Sequence, residues 1–202
     1  MVAIIDYGAG NILSVQKALD HIGCENIVSS DATVISSADG AILPGVGSFG
    51  DAMDNMTRRG LVGAVRDFTR SGKPFLGICL GLQILFDSSE ESPEAEGLSV
   101  FPGKVARFPS DMGLKIPHIG WNSIQYDPKC PLFKGLSEEP YVYFVHSYYL
   151  RAQDESVVSA TSDYGIKFHA AVWKGNVFAT QFHPEKSGGV GMRILTNFVS
   201  LV

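Results

Sequence analysis

The sequence predicts an α/β fold in which flanking helices cover a mainly parallel central sheet and the second half of the chain is rich in β-strands. In the first half, short apolar runs alternate with segments of helical periodicity, a pattern typical of parallel strands joined by crossover helices. The chain has 202 residues, 45% of them hydrophobic, which is enough for one large core. Because no segment has the composition of a linker, we expect a single domain over residues 1–202.

Three apolar runs in the first half have the length of buried strands. They cover residues 2–6, 41–44 and 74–78. Helices should follow, because apolar residues recur at helical spacing after these runs. The expected helices begin near Ile12, Leu61 and Leu80. Gly23 and Gly72 lie where the first two should end, since glycine readily adopts the conformation of a C-terminal cap. The third is expected to extend to Phe86.

The pattern changes after an acidic segment with serine and proline, which predicts a surface loop over residues 87–96. Beyond it, runs rich in β-branched and aromatic residues predict strands. These runs cover residues 100–108, 121–126, 141–149, 157–161 and 177–182. Residues 188–201 predict a closing helix. A mixed sheet within one domain is therefore expected.

Composition excludes several classes of function. The net charge of −5 gives no indication of a nucleic-acid-binding surface. No stretch approaches the 18 apolar residues that a membrane span needs, and the N-terminus lacks the features of a secretory signal. The three cysteines, Cys24, Cys79 and Cys130, have neither a disulfide nor a zinc-site spacing. We therefore expect a cytoplasmic protein with free thiols, no metal and no cofactor.

The sharpest local motif surrounds Cys79. Gly77 and Gly81 flank it at the junction of an expected strand and an expected helix, in the form glycine–x–nucleophile–x–glycine. Such glycines permit a strained turn that lifts the nucleophile above the sheet. The position at a helix N-terminus also favours a thiolate over a thiol. We expect Cys79 to be a nucleophile and the other two cysteines to be inert.

A thiolate nucleophile needs a base, and the base needs an orienting acceptor. His183 and Glu185 follow the apolar run that covers residues 177–182. Pro184 favours extended geometry at His183, and residues two apart in an extended segment project to the same side. Glu185 should therefore reach the imidazole nitrogen that faces away from Cys79. His21, His118 and His169 are expected to be structural.

Acyl chemistry also requires donors for an oxyanion. One should be the backbone N–H of Leu80, next to the nucleophile. The other is expected from Val46 or Gly47 in the glycine loop of residues 45–50. This loop also matches the dinucleotide pattern G-x-G-x-x-G, but it lacks the acidic residue about 20 positions downstream. Nucleotide binding is therefore not expected.

Taken together, these motifs resemble the class I, triad-type glutamine amidotransferases, with Cys79, His183 and Glu185 in the positions of the triad. Other segments are similar to the glutaminase subunits of imidazole glycerol phosphate synthases, in the same order and over essentially the whole chain. These segments cover residues 6–11, 43–49, 118–122, 143–148 and 183–187. The resemblance implies a flavodoxin-like fold and hydrolysis of glutamine to glutamate and ammonia.

The resemblance also implies roles for further residues. Glutamine would be held by Gly45, Gln83, Glu91, Ser147 and Tyr148. Glu91 could equally be a solvated acid, because it lies among other acidic residues. A (β/α)₈-barrel synthase subunit would bind the chain as a heterodimer and consume the ammonia to form imidazole glycerol phosphate and AICAR in histidine biosynthesis. Its interface would include Asn11, Trp121, Tyr143 and Lys186. The alternatives for these four are a turn cap, two core aromatics and a solvated lysine.

Two other functions remain open from the sequence. One is a glutaminase of another synthesis, such as that of anthranilate, aminodeoxychorismate, guanylate, carbamoyl phosphate or pyridoxal phosphate. The other is a cysteine peptidase with a similar nucleophile turn.

Overall fold

The computed structural model describes residues 1–202, and strands and helices alternate through its first half. The strands are β1 (Val2–Ile5), β2 (Asn26–Ser29), β3 (Gly40–Gly45), β4 (Phe75–Cys79), β5 (Ser88–Ser89), β6 (Gly103–Arg107), β7 (His118–Ser123), β8 (Gln125–Tyr126), β9 (Tyr141–His146), β10 (Tyr148–Ala152), β11 (Val158–Asp163), β12 (Lys167–Lys174) and β13 (Val177–Thr180). The helices are α1 (Ile12–His21), α2 (Ala32–Ser37), α3 (Phe49–Arg58), α4 (Leu61–Arg70), α5 (Leu80–Gln83) and α6 (Gly188–Val199).

Eleven strands form one sheet, whose main path runs β2-β1-β3-β4-β13-β12-β10-β6-β5. Pairing is parallel from β2 to β13 and antiparallel from β13 to β6. This confirms the α/β class, and the one other parallel pair on this path is the short β5 with β6 at the far end. The remaining strands, β7 and β9, pair with each other as a separate antiparallel ribbon.

The sheet separates two apolar cores. Alternate residues of β1 point to opposite faces, so Val2 and Ile4 contribute to one core and Ala3 and Ile5 to the other. Buried residues of α1 and α6 belong to the first core, and those of α2, α3 and α4 to the second. Because the central strands are covered on both faces, their sequences are almost continuously apolar.

Several elements differ from the sequence prediction. β2, α2, α3 and β12 were not predicted, and β2 is a four-residue edge strand that is not fully buried at any position. The helix after Cys79 ends at Gln83 rather than at Phe86, so it is a single turn with little macrodipole. The acidic segment is not simply a surface loop, because it contains β5 and the buried side chains of Ser89 and Ser92. None of the helices combines the length and the hydropathy that a membrane span requires.

Candidate active site

Cys79 is the last residue of β4, and its backbone is held in an unusual conformation. Its φ of 56° lies in the left-handed region, which residues other than glycine rarely adopt. The flanking glycines are required by close packing. A Cβ on Gly81 would lie 1.9 Å from the carbonyl oxygen of Leu43, and a Cβ on Gly77 would lie 2.7 Å from that of Gly81. The chain therefore turns sharply at Cys79, as the glycine spacing predicts.

Replacing Gly81 with alanine should destabilise the fold by at least about 2 kcal/mol, because the new Cβ overlaps backbone rather than a flexible side chain. Gly63 provides a matched control. It lies in α4, and a Cβ added there would meet no heavy atom within 4 Å, so Gly63→Ala should be neutral or stabilising by up to about 1 kcal/mol. Urea unfolding of both variants measures the difference, and equal stabilities would refute the packing argument.

His183 reaches Cys79 because β13 pairs with β4 in parallel, so that the carboxyl ends of the two strands lie side by side. The Nδ1 atom of His183 lies 2.8 Å from Oε1 of Glu185, and both side chains are only 1% exposed. Burial by itself would lower the pKa of His183, but the neighbouring Cys79 sulfur and the Glu185 carboxylate raise it to about 10. The other ring nitrogen, Nε2, makes no hydrogen bond within the chain. Nε2 can therefore exchange a proton with a group bound in the adjacent cavity.

The ribbon of β7 and β9 fixes the backbone around His183. The N–H of His183 donates to the carbonyl oxygen of Tyr143 in β9 at 3.0 Å. The N–H of Tyr143 in turn donates to the Ser187 hydroxyl at 2.9 Å, and that hydroxyl donates to the carbonyl oxygen of His183 at 2.6 Å. The position of the imidazole therefore depends directly on the position of the ribbon.

These groups face a cavity of about 320 Å³, a size suited to a small polar molecule. It is lined by Val46, Gly47, Cys79, Leu80, Gln83, Glu91, Val145, His146, Tyr148, His183 and Lys186. Gly45 and Ser147, the other two expected glutamine-binding positions, are outside this lining. Gly45 pairs with Cys79 across β3 and β4, and a Cβ there would lie 2.6 Å from the Tyr7 hydroxyl.

Two of the expected glutamine-binding side chains also make contacts within the protein. The Nε2 group of Gln83 donates to the carbonyl oxygen of Tyr148 and to Oε1 of Gln181, both at 3.1 Å. Oε1 of Gln83 remains available to a ligand. Glu91 is half-buried, and its Oε2 accepts the N–H of Phe49 at the start of α3 at 2.8 Å. Its other oxygen is free of protein partners, which is compatible with binding an ammonium group.

Three of the four expected interface residues lie together, and one of them, Lys186, lines the cavity. The Lys186 ammonium lies 5.9 Å from the centroid of the Tyr143 ring. The Trp121 ring lies 6.2 Å from the same ring and is 55% exposed. Trp121 is thus not a core aromatic. Asn11 precedes α1 at its N-cap position but makes no side-chain capping hydrogen bond, so it is not the turn cap of the alternative interpretation.

Sequence reasoning missed two buried polar residues beside the nucleophile. Gln181 is fully buried, and its Nε2 group donates to the Cys79 sulfur at 3.7 Å. His146 donates from Nδ1 to the carbonyl oxygen of Tyr148 at 2.8 Å and pairs through Nε2 with Nδ1 of His118 at 3.0 Å. For Gln181 the sequence signal was its polar side chain inside the apolar run that covers residues 177–182. No group of three potential metal-ligating side chains occurs in the chain.

The sequence is similar to those of a known protein family. The family model described as glutamine amidotransferase class-I matches residues 3–201. The chain is 54% identical over 203 residues to the imidazole glycerol phosphate synthase subunit HisH of Syntrophotalea carbinolica, with 98% of each chain covered. It is 50% identical over 201 residues to the corresponding subunit of Moorella thermoacetica, covering 100% of this chain and 95% of the relative.

Solved structures support the fold at lower sequence identity. A crystal structure of a glutamine amidotransferase aligns with a TM-score of 0.77 at 22% identity, covering 100% of this chain and 98% of that one. A chain in the structure of PurLQS from Thermotoga maritima aligns with a TM-score of 0.78 at 19% identity, covering 98% and 97%. At these identities the likeness concerns the fold alone.

Proposed function

Because the chain belongs to the class-I glutamine amidotransferase family and is about half identical to HisH subunits over its full length, we propose that it is the glutaminase subunit of an imidazole glycerol phosphate synthase. It hydrolyses glutamine to glutamate and ammonia, and the ammonia supplies a cyclase subunit in histidine biosynthesis. Identities of 50 to 54% over nearly the whole chain favour this over the glutaminases of other syntheses and over a peptidase. The single observation that carries the chemistry is that Cys79 and His183 line one cavity while Glu185 lies against Nδ1 of His183.

In the proposed reaction the Cys79 thiolate attacks the side-chain carboxamide carbon of glutamine. A new C–S bond forms, and the carbonyl oxygen becomes an oxyanion. His183 Nε2 then gives a proton to the leaving nitrogen, the C–N bond breaks, and ammonia leaves a thioester on Cys79. The imidazole next takes a proton from water, whose oxygen attacks the thioester to release glutamate and regenerate the thiolate. Glu185 holds the imidazole through Nδ1 and stabilises its charged form.

The oxyanion is proposed to receive hydrogen bonds from the N–H of Leu80 and from an N–H of Val46 or Gly47. Leu80 is the first residue of α5, so its N–H has no acceptor within the helix. Gly47 has a φ of 103°, and no heavy atom lies within 4 Å of the position a Cβ would take. Rotation of the neighbouring peptide plane therefore meets little steric resistance. The glycine loop is suited to switch one donor in and out of the site.

The proposed partner is the (β/α)₈-barrel subunit that forms imidazole glycerol phosphate and AICAR. Trp121, Tyr143 and Lys186 would meet it, since aromatic side chains are enriched at the centres of interfaces and these three are grouped on an accessible face. Asn11 is proposed to lie at the same interface. We propose the cytoplasm as the place of action, where thiols such as the three free cysteines remain reduced.

We expect the isolated chain to hydrolyse glutamine slowly and the loaded partner to accelerate it by about 10²–10³, because one missing oxyanion donor has an effect of that size. The test compares glutamate release by the chain alone, with the empty barrel subunit, and with the barrel subunit plus its phosphoribosyl substrate. Equal turnover in all three conditions would refute the switch and leave the triad standing. Absence of glutamate release in every condition would refute the proposed function.

A further inference from the structure

The amide of Gln181 contacts the sulfur of Cys79 from inside the protein. Its Nε2 group lies 3.7 Å from Sγ, and the side chain is fully buried. Gln181 does not line the cavity that Leu80, His183 and Lys186 share with Cys79. The sulfur thus has the cavity on one side and an amide donor on the other.

A backbone carbonyl fixes which end of this amide faces the sulfur. The carbonyl oxygen of Tyr148 can only accept, so the group of Gln83 that meets it must be the Nε2 donor. The same Nε2 group meets Gln181 at 3.1 Å, and the atom it contacts must therefore be the Oε1 acceptor. Nε2 of Gln181 is then the end that faces Cys79. Reversing either amide would place two donors or two acceptors against each other.

A neutral histidine, itself paired with a second one, also donates to the anchoring carbonyl of Tyr148. Nδ1 of His146 donates to the carbonyl oxygen of Tyr148 at 2.8 Å, and burial lowers the pKa of His146 to about 3. Its Nε2 is therefore an acceptor for Nδ1 of His118, whose pKa burial lowers to about 4. His118 in turn lies 3.5 Å from the Asn122 amide through Nε2. This chain of neutral groups fixes the orientation of the Gln181 amide without adding charge near the sulfur.

We propose that Gln181 is a further catalytic residue, which donates an N–H···S hydrogen bond to Cys79 and raises the fraction of the nucleophile present as thiolate. A buried thiolate requires donors, and a hydrogen bond to a charged acceptor is stronger than one to its neutral form. The sulfur is surrounded by other charged or titratable groups, and Gln181 adds a donor that does not titrate. These groups are His183 with its partner Glu185, Glu91, Lys186, His146, Tyr148 and Tyr7. The inference rests on the proposed nucleophilic role of Cys79.

The test measures the rate at which iodoacetamide alkylates Cys79 in the full chain as a function of pH. Gln181→Met removes the donor with little change in size, and Gln181→Glu keeps an acceptor for Gln83 while placing an acidic group at the sulfur. At pH values below the midpoint of the wild-type profile, the alkylation rate should be about tenfold lower in Gln181→Met, because a hydrogen bond to a charged acceptor is stronger than one to a neutral acceptor. It should be lower still in Gln181→Glu. Turnover of glutamine should fall in the same order with little change in KM.

Thr180→Val is the matched control, because it removes a buried hydrogen bond from the neighbouring residue, whose hydroxyl donates to the carbonyl oxygen of Phe182. Its alkylation profile should match that of the wild type. If the wild type, Gln181→Met and Gln181→Glu gave the same pH profile, this inference would be overturned and the proposed function would stand. If wild-type Cys79 reacts no faster than the partly exposed Cys24, the proposed function fails instead.

Discussion

Replacing Cys79 with alanine should abolish glutamine hydrolysis, with turnover reduced by roughly 10⁴–10⁶, because no other group in the cavity can form the thioester. Synthesis supported by added ammonia should continue in the complex with the barrel subunit, since the variant keeps the backbone of the nucleophile turn. Glutamate release in the presence of the loaded partner measures the first effect. Product formation with ammonium salts measures the second.

Cys24→Ala is the control for loss of a thiol as such, because Cys24 is a partly exposed residue far along the sequence from the site. It should retain wild-type turnover. Hydrolysis that persists in Cys79→Ala would remove the thiolate mechanism, and hydrolysis lost in both variants would show that thiol loss acts through the fold.

Replacing Glu185 with glutamine should lower turnover by roughly 10³–10⁴, as expected for a residue that orients an imidazole and stabilises its charge. The substitution keeps the shape of the side chain but removes the carboxylate that lies 2.8 Å from Nδ1 of His183. Glu138→Gln is the matched control, because Glu138 is exposed and remote from the cavity. Near-wild-type turnover in Glu185→Gln would mean that the pair is structural.

The same variant has a predictable pH dependence. Burial opposes the charge on His183, while the Cys79 sulfur and Glu185 favour it and raise its pKa from 6.5 to about 10. A raised pKa stabilises the folded chain fully below pH 6.5, and this contribution is lost as the pH rises through about 10. Without the carboxylate the pKa of His183 falls, so the alkaline limb of the pH–rate profile should move to lower pH. The variant's free energy of unfolding, measured in urea, should approach that of the wild type as the pH is raised.

Much of the fold could be predicted because apolar periodicity reports burial. The central strands β1, β3 and β4 are buried at every position and were recognised. The edge strand β2 was not, because its residues are only partly covered and its sequence includes polar ends. The sequence predicts a longer helix after Cys79 than the structure has. Leu85 and Phe86 are buried and lie at helical spacing, but the structure places them in the turn and bend that follow the helix.

The candidate site was predictable where the relevant groups are close in sequence. The turn at Cys79 follows from the spacing of Gly77 and Gly81. The contact between His183 and Glu185 is present as expected, but its expected cause was wrong, because Pro184–Lys186 forms a 3-10 helix and only His183 is extended. Contacts that depend on the register of distant strands could not be inferred. The amide of Gln181 at the Cys79 sulfur is one such contact, and it depends on the pairing of β13 with β4.

The central place of β13 has a consequence for biosynthesis. β4, which carries Cys79, lies between β3 and β13, and β13 is the last strand to emerge from the ribosome. Until then β4 forms an apolar edge, which is prone to pair with other chains. His183 and Glu185 follow β13 directly, so the strand that closes this edge also delivers the base and its partner. A nascent chain that ends before His183 therefore has the nucleophile without the base, and it cannot release ammonia.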